Sequence, residues 1–440
     1  MDWTQGSRLE VTVMDLAAGG DGVARWENRV VFIPNTAPGD RVQVRLVHVK
    51  PREAFAQVET LLEPSPDRVR PRCIVADKCG GCQWQVVDYS RQVQAKQTLV
   101  TQTLGVPVRP LWAASEPFHY RNKVTYPLAY NQQGQVAAGY YAQGSHKVVN
   151  INQCPVQDPH LDEVLPGLKQ AIQDQGWSIY NETTRVGLLR HLALRVGRRT
   201  GEVLVTLVAT AAPPGIEAWA KRVLAFPSIV GVGWNHQTQP GNVIFGNQTY
   251  TVQGRGYLRE LFCGLEFHIA ATTFFQIYTE QAERLVQQVV QEAQLTGSET
   301  VVDAYSGIGT MALPLARQAQ RVIGIERWGE SVQQARANAQ RNNITNIEFN
   351  QGAVEDWLPR QKVAPDVLCL DPPRKGCDPA VLKALLKYPP RRILYVSCNP
   401  ATLARDLAVL GGGYSLESVQ PVDFFPQTYH VECLAVLQRT

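Results

Sequence analysis

Residues 300–326, TVVDAYSGIGTMALPLARQAQRVIGIE, decide the fold of the C-terminal part of the chain. TVVDAY predicts a strand, SGIGT a turn, MALPLARQA a helix and RVIGIE a second strand. Gly307 and Gly309 remove side chains where a bound molecule must approach the backbone. Glu326 ends the second strand 23 residues after Asp303, about where an acidic residue binds ribose hydroxyls in nucleotide-binding folds. The pattern predicts a doubly wound parallel sheet that binds a nucleoside cofactor.

The turn has G-x-G but lacks the third glycine of G-x-G-x-x-G, so S-adenosylmethionine fits it as well as NAD does. Two later strands end in chemically informative residues: VLCL runs into Asp371-Pro-Pro-Arg-Lys-Gly, and RRILYVS runs into Cys398-Asn-Pro. The carboxyl ends of parallel strands open onto the ligand crevice, so both side chains are expected beside the cofactor. A thiol directly before a helix lies where the helix dipole favours thiolate, which makes Cys398 a candidate nucleophile.

Residues 4–63 predict a small β-barrel of the OB type, because RLEVTVMDL, RVVFI, RVQVRLVHV and FAQVETLL alternate and are separated by turn sequences. Arg41, Arg45, Lys50 and Arg52 lie on or beside the third of these strands. They form either a face that contacts nucleic acid or an ordinary solvated face, and the sequence alone favours neither.

The prolines of EPSPDRVRPR place a boundary near residue 66. From residue 73 to about 260, short strands such as KVTYPLAY, HLALRV, EVLVTLVA, GVGWN and VIFGN surround one helical stretch at 90–104, which indicates a mixed, mainly β centre. We therefore expect an α/β protein with three domains: a barrel at 1–66, a central domain at 67–265 and a Rossmann-like domain at 266–440.

Composition indicates a globular chain, with 44% hydrophobic and 19% charged residues among 440. The apolar runs are too short for a membrane span, and the N-terminus has no secretory signal pattern, so a cytoplasmic location without a membrane partner is expected. Residues 1–260 hold 27 Lys+Arg against 21 Asp+Glu, whereas residues 261–440 hold 16 against 18. This basic surplus suits an N-terminal part that grips a polyanion.

Four of the nine cysteines form a constellation: Cys73, Cys79 and Cys82 follow C-x5-C-G-G-C, and Cys154 lies in the turn-like NQCPVQD. Thiols stay reduced in the cytoplasm, so these cysteines indicate a metal or cluster site rather than disulfides. Four thiolates complete either a zinc site or an iron–sulfur cluster, and the spacing does not choose between them.

Taken together, the motifs resemble the RNA (uracil-5-)-methyltransferases, specifically the iron–sulfur, TRAM-domain type that acts on 23S ribosomal RNA. The resemblance covers essentially the whole chain. Its elements are the barrel at 4–63, C-x5-CGGCQWQ with Cys154, FFQ at 274–276, DAYSGIG at 303–309, DPPRKG at 371–376, SCNP at 397–400 and HVE at 430–432.

The resemblance implies a role for each matching residue. Cys398 is then the nucleophile and Glu432 the general base; Gln276, Tyr305, Glu326 and Asp371 bind S-adenosylmethionine or orient the uracil; Cys73, Cys79, Cys82 and Cys154 ligate a [4Fe-4S] cluster. Three positions depart from the family pattern: Ser306 stands where cysteine is frequent, Thr310 where Asn also occurs, and Ala353 where a polar residue often contacts the adenine. These departures concern the cofactor contacts and leave the chemistry intact.

The implied partner is RNA, with an unpaired or flipped uridine, because a paired base could not reach such a pocket. Phe274 and Phe275 are candidates for stacking on the base, although an FF pair is more often core. Four arginines are expected to hold surrounding phosphates and to make binding salt-sensitive: Arg190, Arg195, Arg198 and Arg199. His430 is expected to be structural, and the protein a monomer.

Three other functions compete with this interpretation. A transfer RNA uracil-5-methyltransferase would carry the same catalytic motifs. A non-catalytic iron–sulfur RNA-binding assembly factor is disfavoured by the retention of Cys398, Glu432 and Asp371. A methyltransferase acting on adenine amino groups is excluded because Arg374 stands where those enzymes place an aromatic residue.

Overall fold

A computed structural model describes residues 3–440, and its N-terminal unit is a closed five-stranded barrel. Val11, Val13, Val42 and Val44 alternate with exposed residues and fill the barrel, which confirms the predicted architecture. The short strand GVARW between two turns is the one that the sequence analysis did not identify. In barrel order the strands are β1 (Arg8–Leu16), β2 (Gly22–Trp26), β3 (Arg29–Ile33), β5 (Glu53–Glu63) and β4 (Arg41–Val49).

The outward-facing cations of the barrel are largely neutralised by carboxylates. Arg41 forms ion pairs with Glu10 and Glu63, and Arg45 lies 3.3 Å from Glu59. Lys50 is 2.6 Å from the Glu53 carboxylate. The predicted basic face is therefore a set of exposed ion pairs, which favours the solvated-face interpretation of these residues.

A second, seven-stranded sheet forms the middle of the molecule. Its strands in spatial order are β12 (Gln248–Gly254), β11 (Ile229–His236), β10 (Val203–Ala209), β9 (Leu189–Val196), β6 (Lys123–Tyr130), β7 (Val136–Tyr141) and β8 (Val148–Asn150). Its apolar face packs in one hydrophobic cluster with residues of helices α2 (Pro159–Gln175) and α3 (Ile216–Val223).

Two details of this region differ from prediction. Helix α2 was missed because Pro166 lies inside it and interrupts the sequence signal, although Asp158 caps it by accepting from His160 N–H. VIFGN is irregular rather than a strand, and the strand begins only at Gln248. The Asn235 amide bonds both the N–H and the C=O of Gly246, which replaces ladder pairing there.

The C-terminal sheet has the predicted doubly wound form. Strands β15 (Thr300–Ala304), β16 (Arg321–Glu326), β17 (Ile347–Gln351), β18 (Val367–Leu370) and β19 (Arg392–Ser397) are parallel, whereas β20 (Tyr414–Val422) and β21 (Glu432–Arg439) form an antiparallel hairpin. The spatial order is β17-β16-β15-β18-β19-β21-β20. Its helices are α4 (Thr279–Glu292), α5 (Ala312–Ala316), α6 (Gly329–Arg341), α7 (Val354–Trp357), α8 (Pro379–Lys387) and α9 (Pro400–Leu410), with a 3₁₀ turn at Leu358–Arg360.

Helix α1 (Tyr89–Leu104) ties the N-terminal half of the chain to this sheet. Its Lys96 is fully buried and lies 2.6 Å from Asp423, just beyond β20. The hairpin of β13 (Tyr257–Phe262) and β14 (Leu265–Ala270) packs against helix α6, and it spans the boundary expected between residues 265 and 266. Within residues 3–440, no helix has the length and apolarity needed to cross a membrane.

Candidate active site

A cavity of about 550 Å³ opens at the carboxyl ends of β15, β16, β18 and β19. This is where a doubly wound sheet binds its ligands. All six residues that the sequence assigned to catalysis or cofactor binding line this cavity: Gln276, Tyr305, Glu326, Asp371, Cys398 and Glu432.

Cys398 and Glu432 are brought together by strand register. Strand β19 ends one residue before Cys398, and β21 begins at Glu432. The two strands are antiparallel with Ser397 opposite Cys433, so continuing the ladder by one residue places Cys398 opposite Glu432. A thiol and a carboxyl group at adjacent ends of two strands can act on the same bound molecule.

The groups that titrate in the cavity have raised pKa values. Burial raises the pKa of Asp371 to about 7. Burial and the charge of Asp371 raise the pKa of Glu432 well above its usual value. Burial, together with the charges of Glu432 and Asp371, raises the pKa of Cys398 to about 11. The backbone N–H of Cys398, just before the start of helix α9, acts in the expected direction and lowers the pKa of the thiol, but burial and the two carboxyl groups outweigh it.

The glycine turn and Glu326 form one hydrogen-bonded unit. Gly307 N–H donates to one carboxylate oxygen of Glu326 at 3.0 Å, and Trp328 N–H donates to the other at 2.7 Å. Gly307 and Gly309 have φ of 56° and 92°, a region that disfavours other residues. Tyr305 also has a positive φ, 71°, and lines the cavity. This arrangement fixes the Glu326 carboxylate with lone pairs left to accept hydroxyl groups.

Unpartnered carboxyl groups make this cavity suited to a cationic ligand. Asp303 is fully buried behind the turn, and neither of its carboxyl oxygens has a hydrogen-bond partner. The side chains of Asp371 and Glu432 likewise make no ion pair within residues 3–440. S-adenosylmethionine carries a sulfonium and an ammonium group, so the donor set fits this cofactor.

The FFQ segment divides between core and cavity. Phe275 is 3% exposed and packs edge-on against Phe262 at a centroid distance of 5.3 Å, whereas Phe274 is 62% exposed and lines the cavity. The Asn122 side chain donates to the Gln276 carbonyl at 2.9 Å and holds this segment in place. Of the two phenylalanines, only Phe274 is therefore available to stack on a base.

Cys398 also borders a second, smaller cleft of about 100 Å³. Ala18 of the barrel, Leu99 and Thr103 of helix α1, and His430 form its walls with Arg374. The barrel is seated there by its β1–β2 turn, because Trp84 Nε1 donates to the Gly20 carbonyl at 2.8 Å. The thiol therefore lies between the cofactor cavity and a cleft that the barrel helps to enclose.

His430 packs among aromatic rings in this cleft. Its ring lies 4.2 Å from that of Tyr429 and 5.7 Å from that of Phe425, between centroids. Burial lowers the pKa of His430 to about 4, so it is neutral at physiological pH. This packing is consistent with the structural role expected for it.

The four cysteines of the constellation affect one another electrostatically. Burial raises the pKa of Cys82 to about 11, with smaller contributions from Cys79 and Cys73, while Arg121 opposes the shift. The pKa of Cys154 is raised by burial and by Cys82. Within residues 3–440, however, no three His, Cys, Asp or Glu side chains are grouped closely enough to hold a metal ion.

The four arginines expected to hold phosphates are occupied by the protein itself, so that expectation is wrong. Arg190 and Arg195 are buried and donate to backbone carbonyls, including Gln239 O and Thr273 O. Arg198 bridges the carboxylates of Asp158 and Glu280, and Arg199 pairs with Glu283. The partners lie far away along the chain, so no local motif could indicate these contacts.

Two cavity residues were not singled out from the sequence. Trp328 is 67% exposed at the start of helix α6 and lines the cavity beside Glu326. Arg374 lines both the cavity and the smaller cleft. For Trp328 the sequence offered one signal: a large aromatic residue two positions after Glu326, which ends a strand.

Comparisons with known families and structures agree with this geometry. Residues 248–440 match the family model "tRNA (Uracil-5-)-methyltransferase", and residues 2–58 match the TRAM domain. The chain is 53% identical over 446 residues to an RNA methyltransferase of Nostoc sp., covering 99% of this chain and 97% of that one. It is 41% identical to an RNA methyltransferase of Halalkalibacterium halodurans, covering 98% and 96% of the two chains.

A solved structure extends the likeness to the whole architecture. The Pyrococcus abyssi tRNA (uracil-54, C5)-methyltransferase in complex with S-adenosyl-L-homocysteine superimposes with a TM-score of 0.81 at 29% sequence identity. The match covers 97% of this chain and 99% of that one.

Proposed function

The chain belongs to the TRAM-containing RNA (uracil-5-)-methyltransferases, which are S-adenosylmethionine-dependent enzymes, and from this we propose its reaction. It methylates C5 of a uridine in 23S ribosomal RNA through a covalent bond from Cys398. One observation carries the proposal: the Cys398 thiol lies between the cofactor cavity and the barrel-lined cleft, with Glu432 opposite it across the strand register. A base bound in the cavity beside the cofactor can then meet both the thiol and the carboxyl group.

Uracil C5 is too weak a nucleophile to accept a methyl group unaided. Cys398 first loses its thiol proton to solvent; its sulfur then bonds to C6, the C5=C6 double bond breaks and electron density moves to C5. S-adenosylmethionine, when bound, would supply the methyl group to that carbon. Glu432, as the carboxylate, then removes the C5 proton, the double bond re-forms and Cys398 leaves as thiolate. Glu432 passes its proton to solvent and Cys398 takes one back, so the enzyme is regenerated.

The raised pKa of Cys398 implies that ligand binding helps to activate the thiol. Burial and the charges of Glu432 and Asp371 hold the proton on sulfur. A cationic cofactor beside Asp371 offsets part of that negative charge and lowers the cost of forming the thiolate. Attack on the base is thereby coupled to occupancy of the cavity.

The roles proposed for the other site residues follow from their positions in the cavity. Glu326, locked by two backbone N–H groups, accepts from the ribose hydroxyls, and Asp371 faces the charged end of the cofactor. Gln276 and Tyr305 line the same cavity and orient the uracil or cofactor, and exposed Phe274 offers a ring on which a flipped base can stack. Ala353 can contribute only its backbone there.

A [4Fe-4S] cluster on Cys73, Cys79, Cys82 and Cys154 is part of the proposal. The support is electrostatic: after burial, other thiols of the set contribute to the raised pKa of Cys82 and of Cys154, and Arg121 opposes the shift at Cys82. Four thiolates suit either an iron–sulfur cluster or zinc, and the family resemblance favours the cluster. Purified protein should be brown and contain iron and sulfide; a colourless protein with one zinc per chain would contradict the assignment.

Transfer RNA is the second candidate substrate, and the likeness to the Pyrococcus abyssi enzyme favours it. Unmodified 23S rRNA and tRNA transcripts, incubated separately with the protein and S-adenosylmethionine, decide between them when their nucleosides are analysed by mass spectrometry. We expect 5-methyluridine in 23S rRNA. Its appearance only in tRNA would change the substrate assignment, and its absence from both would overturn the proposed activity.

A further inference from the structure

The central sheet places two cations directly opposite each other. In the antiparallel pair of β6 and β9, Lys123 faces Arg195. Like charges in this relation destabilise a sheet. No carboxylate of residues 3–440 forms an ion pair with either side chain, and the charged groups that shift the pKa of Lys123 are Arg195 and Arg121. When Lys123 is protonated, its charge therefore has no counter-charge within residues 3–440.

Among these three cations, Lys123 is the one whose side chain makes no hydrogen bond at all within residues 3–440. Arg195 is 4% exposed and spends both terminal nitrogens on the carbonyls of Ala270 and Thr273. Arg121 Nε donates to the Lys123 carbonyl. Lys123 itself is half-buried; the Phe245 ring lies 5.6 Å from its Nζ, which has no hydrogen-bond acceptor within residues 3–440.

This cation is joined to the segment that enters the active site. Asn122, the residue before Lys123, donates its side-chain amide to Gln276 O and its backbone N–H to Ile277 O. Arg195 bonds Thr273 O on the same segment. Phe274, which lines the cofactor cavity, lies between these attachment points. A strand of nucleic acid that delivers its base to Phe274 and Cys398 would thus pass near Lys123.

We propose that Lys123, supported by the positive charge of Arg195 and Arg121, binds a backbone phosphate of the RNA strand that carries the target uridine. The inference rests on the proposed function and adds a binding residue to it. A phosphate supplies the missing negative charge and accepts from the free ammonium group. Burial and the two neighbouring cations lower the pKa of Lys123 to about 6, and a bound phosphate would restore the charged form.

The test compares Lys123→Met, Lys123→Arg and the control Lys221→Met, which removes an exposed lysine from helix α3. RNA affinity is measured over a range of KCl concentrations. Lys123→Met should weaken RNA binding roughly tenfold, as expected for one charge-assisted hydrogen bond. It should also reduce the slope of log K against log salt by about 0.7, the value for one phosphate on a single strand. Lys123→Arg and Lys221→Met should keep the wild-type slope.

Thermal unfolding and S-adenosylmethionine binding separate this role from a structural one. Because Lys123→Met removes an uncompensated charge and keeps the apolar stem, the variant should unfold no earlier than wild type and bind the cofactor normally. Its methylation defect should appear as a higher KM for RNA. An unchanged salt slope in Lys123→Met, or a lower unfolding temperature that accounts for the affinity loss, would overturn the proposal.

The outcome is distinguishable from failure of the proposed function. If wild type makes 5-methyluridine while Lys123→Met keeps the wild-type salt slope, only the phosphate site is wrong. If wild type binds RNA with the predicted dependence on Lys123 but makes no 5-methyluridine, the phosphate site stands and the catalytic proposal is wrong.

Discussion

Buried carboxyl groups of the C-terminal domain fall into two sets, one partnered by the protein and one not. Asp423 accepts from Lys96 Nζ at 2.6 Å and from the Tyr89 hydroxyl at 2.9 Å. Asp371 and Glu432 line the cavity, and their side chains have no such partners within residues 3–440. A partnered carboxylate holds elements together, whereas an unpartnered one costs folding free energy that only a ligand or a reaction explains.

The same distinction applies to cations. Arg198 and Arg199 are matched by carboxylates and connect elements of the fold. Lys123 has no matching acid and lies beside the active-site segment. Charge balance is thus a better guide to ligand sites in this molecule than the number of charged residues in a region.

The largest effect is expected from Glu432→Gln. This change removes the proposed general base, which is one of the unpartnered carboxyl groups. Turnover should fall roughly a thousandfold, within the range for loss of a general base. Because the C5 proton can no longer leave, methylated RNA should accumulate bonded to Cys398, visible as a slow-migrating band on a denaturing gel. Glu348→Gln, at an exposed ion pair on β17, is the control and should turn over normally. Full activity in Glu432→Gln would remove this residue from the mechanism.

Asp423→Asn removes a carboxylate that is partnered within the protein, and it should lower stability. It leaves the buried Lys96 ammonium without its counter-charge, at a cost of about 3–5 kcal/mol in the free energy of unfolding. Urea denaturation measures this cost. The double variant Lys96→Met with Asp423→Leu removes both charges and should recover much of the loss. If Asp423→Asn unfolds like wild type, the ion pair does not hold helix α1 to the sheet.

Asp371→Asn should weaken cofactor binding without destabilising the fold. The pKa of Asp371 is raised to about 7, so the carboxylate forms as pH rises through that value. A cationic cofactor should therefore bind more tightly at pH 8 than at pH 6 in wild type, and the dependence should flatten in the variant with a loss of roughly tenfold at pH 8. Calorimetric titration with S-adenosylmethionine checks both. An identical pH dependence in the two proteins would show that another group sets it.

The smallest effect is expected on the barrel surface. Arg41→Gln breaks two exposed ion pairs, and solvent screens such pairs strongly. Stability and RNA affinity should both stay close to wild type, as judged by thermal unfolding and fluorescence anisotropy. A large loss of RNA affinity would mean that these arginines leave their carboxylates to bind phosphates.

The fold was largely predictable where strands are buried on both faces. RVIGIE, VLCL and the strand before Cys398 were recognised because continuous apolar runs end in turn residues. Helix α2 was not, because Pro166 obscures its periodicity. The barrel was predicted from alternation, which sets the inward and outward faces directly.

The candidate site was predictable only in its residue types. Motifs identified Cys398 and Glu432, but the register that places them opposite each other depends on the β19–β21 pairing. The raised pKa of Cys398 depends on burial and on carboxyl groups from other strands, which a linear sequence does not show. For the same reason the sequence suggested Arg198 as a phosphate ligand and left Lys123 unnoticed.

The central claim is a temporary bond between the Cys398 sulfur and C6 of uracil. RNA containing 5-fluorouridine, incubated with the protein and S-adenosylmethionine, should form a complex that survives denaturation, because fluorine cannot leave C5 as a cation. Mass spectrometry of the digested complex should place the methylated nucleotide on Cys398. Cys398→Ser should form none, whereas Cys263→Ser, which changes a half-buried thiol elsewhere, should form it normally. No adduct with wild type, or an equal yield with Cys398→Ser, would contradict the mechanism.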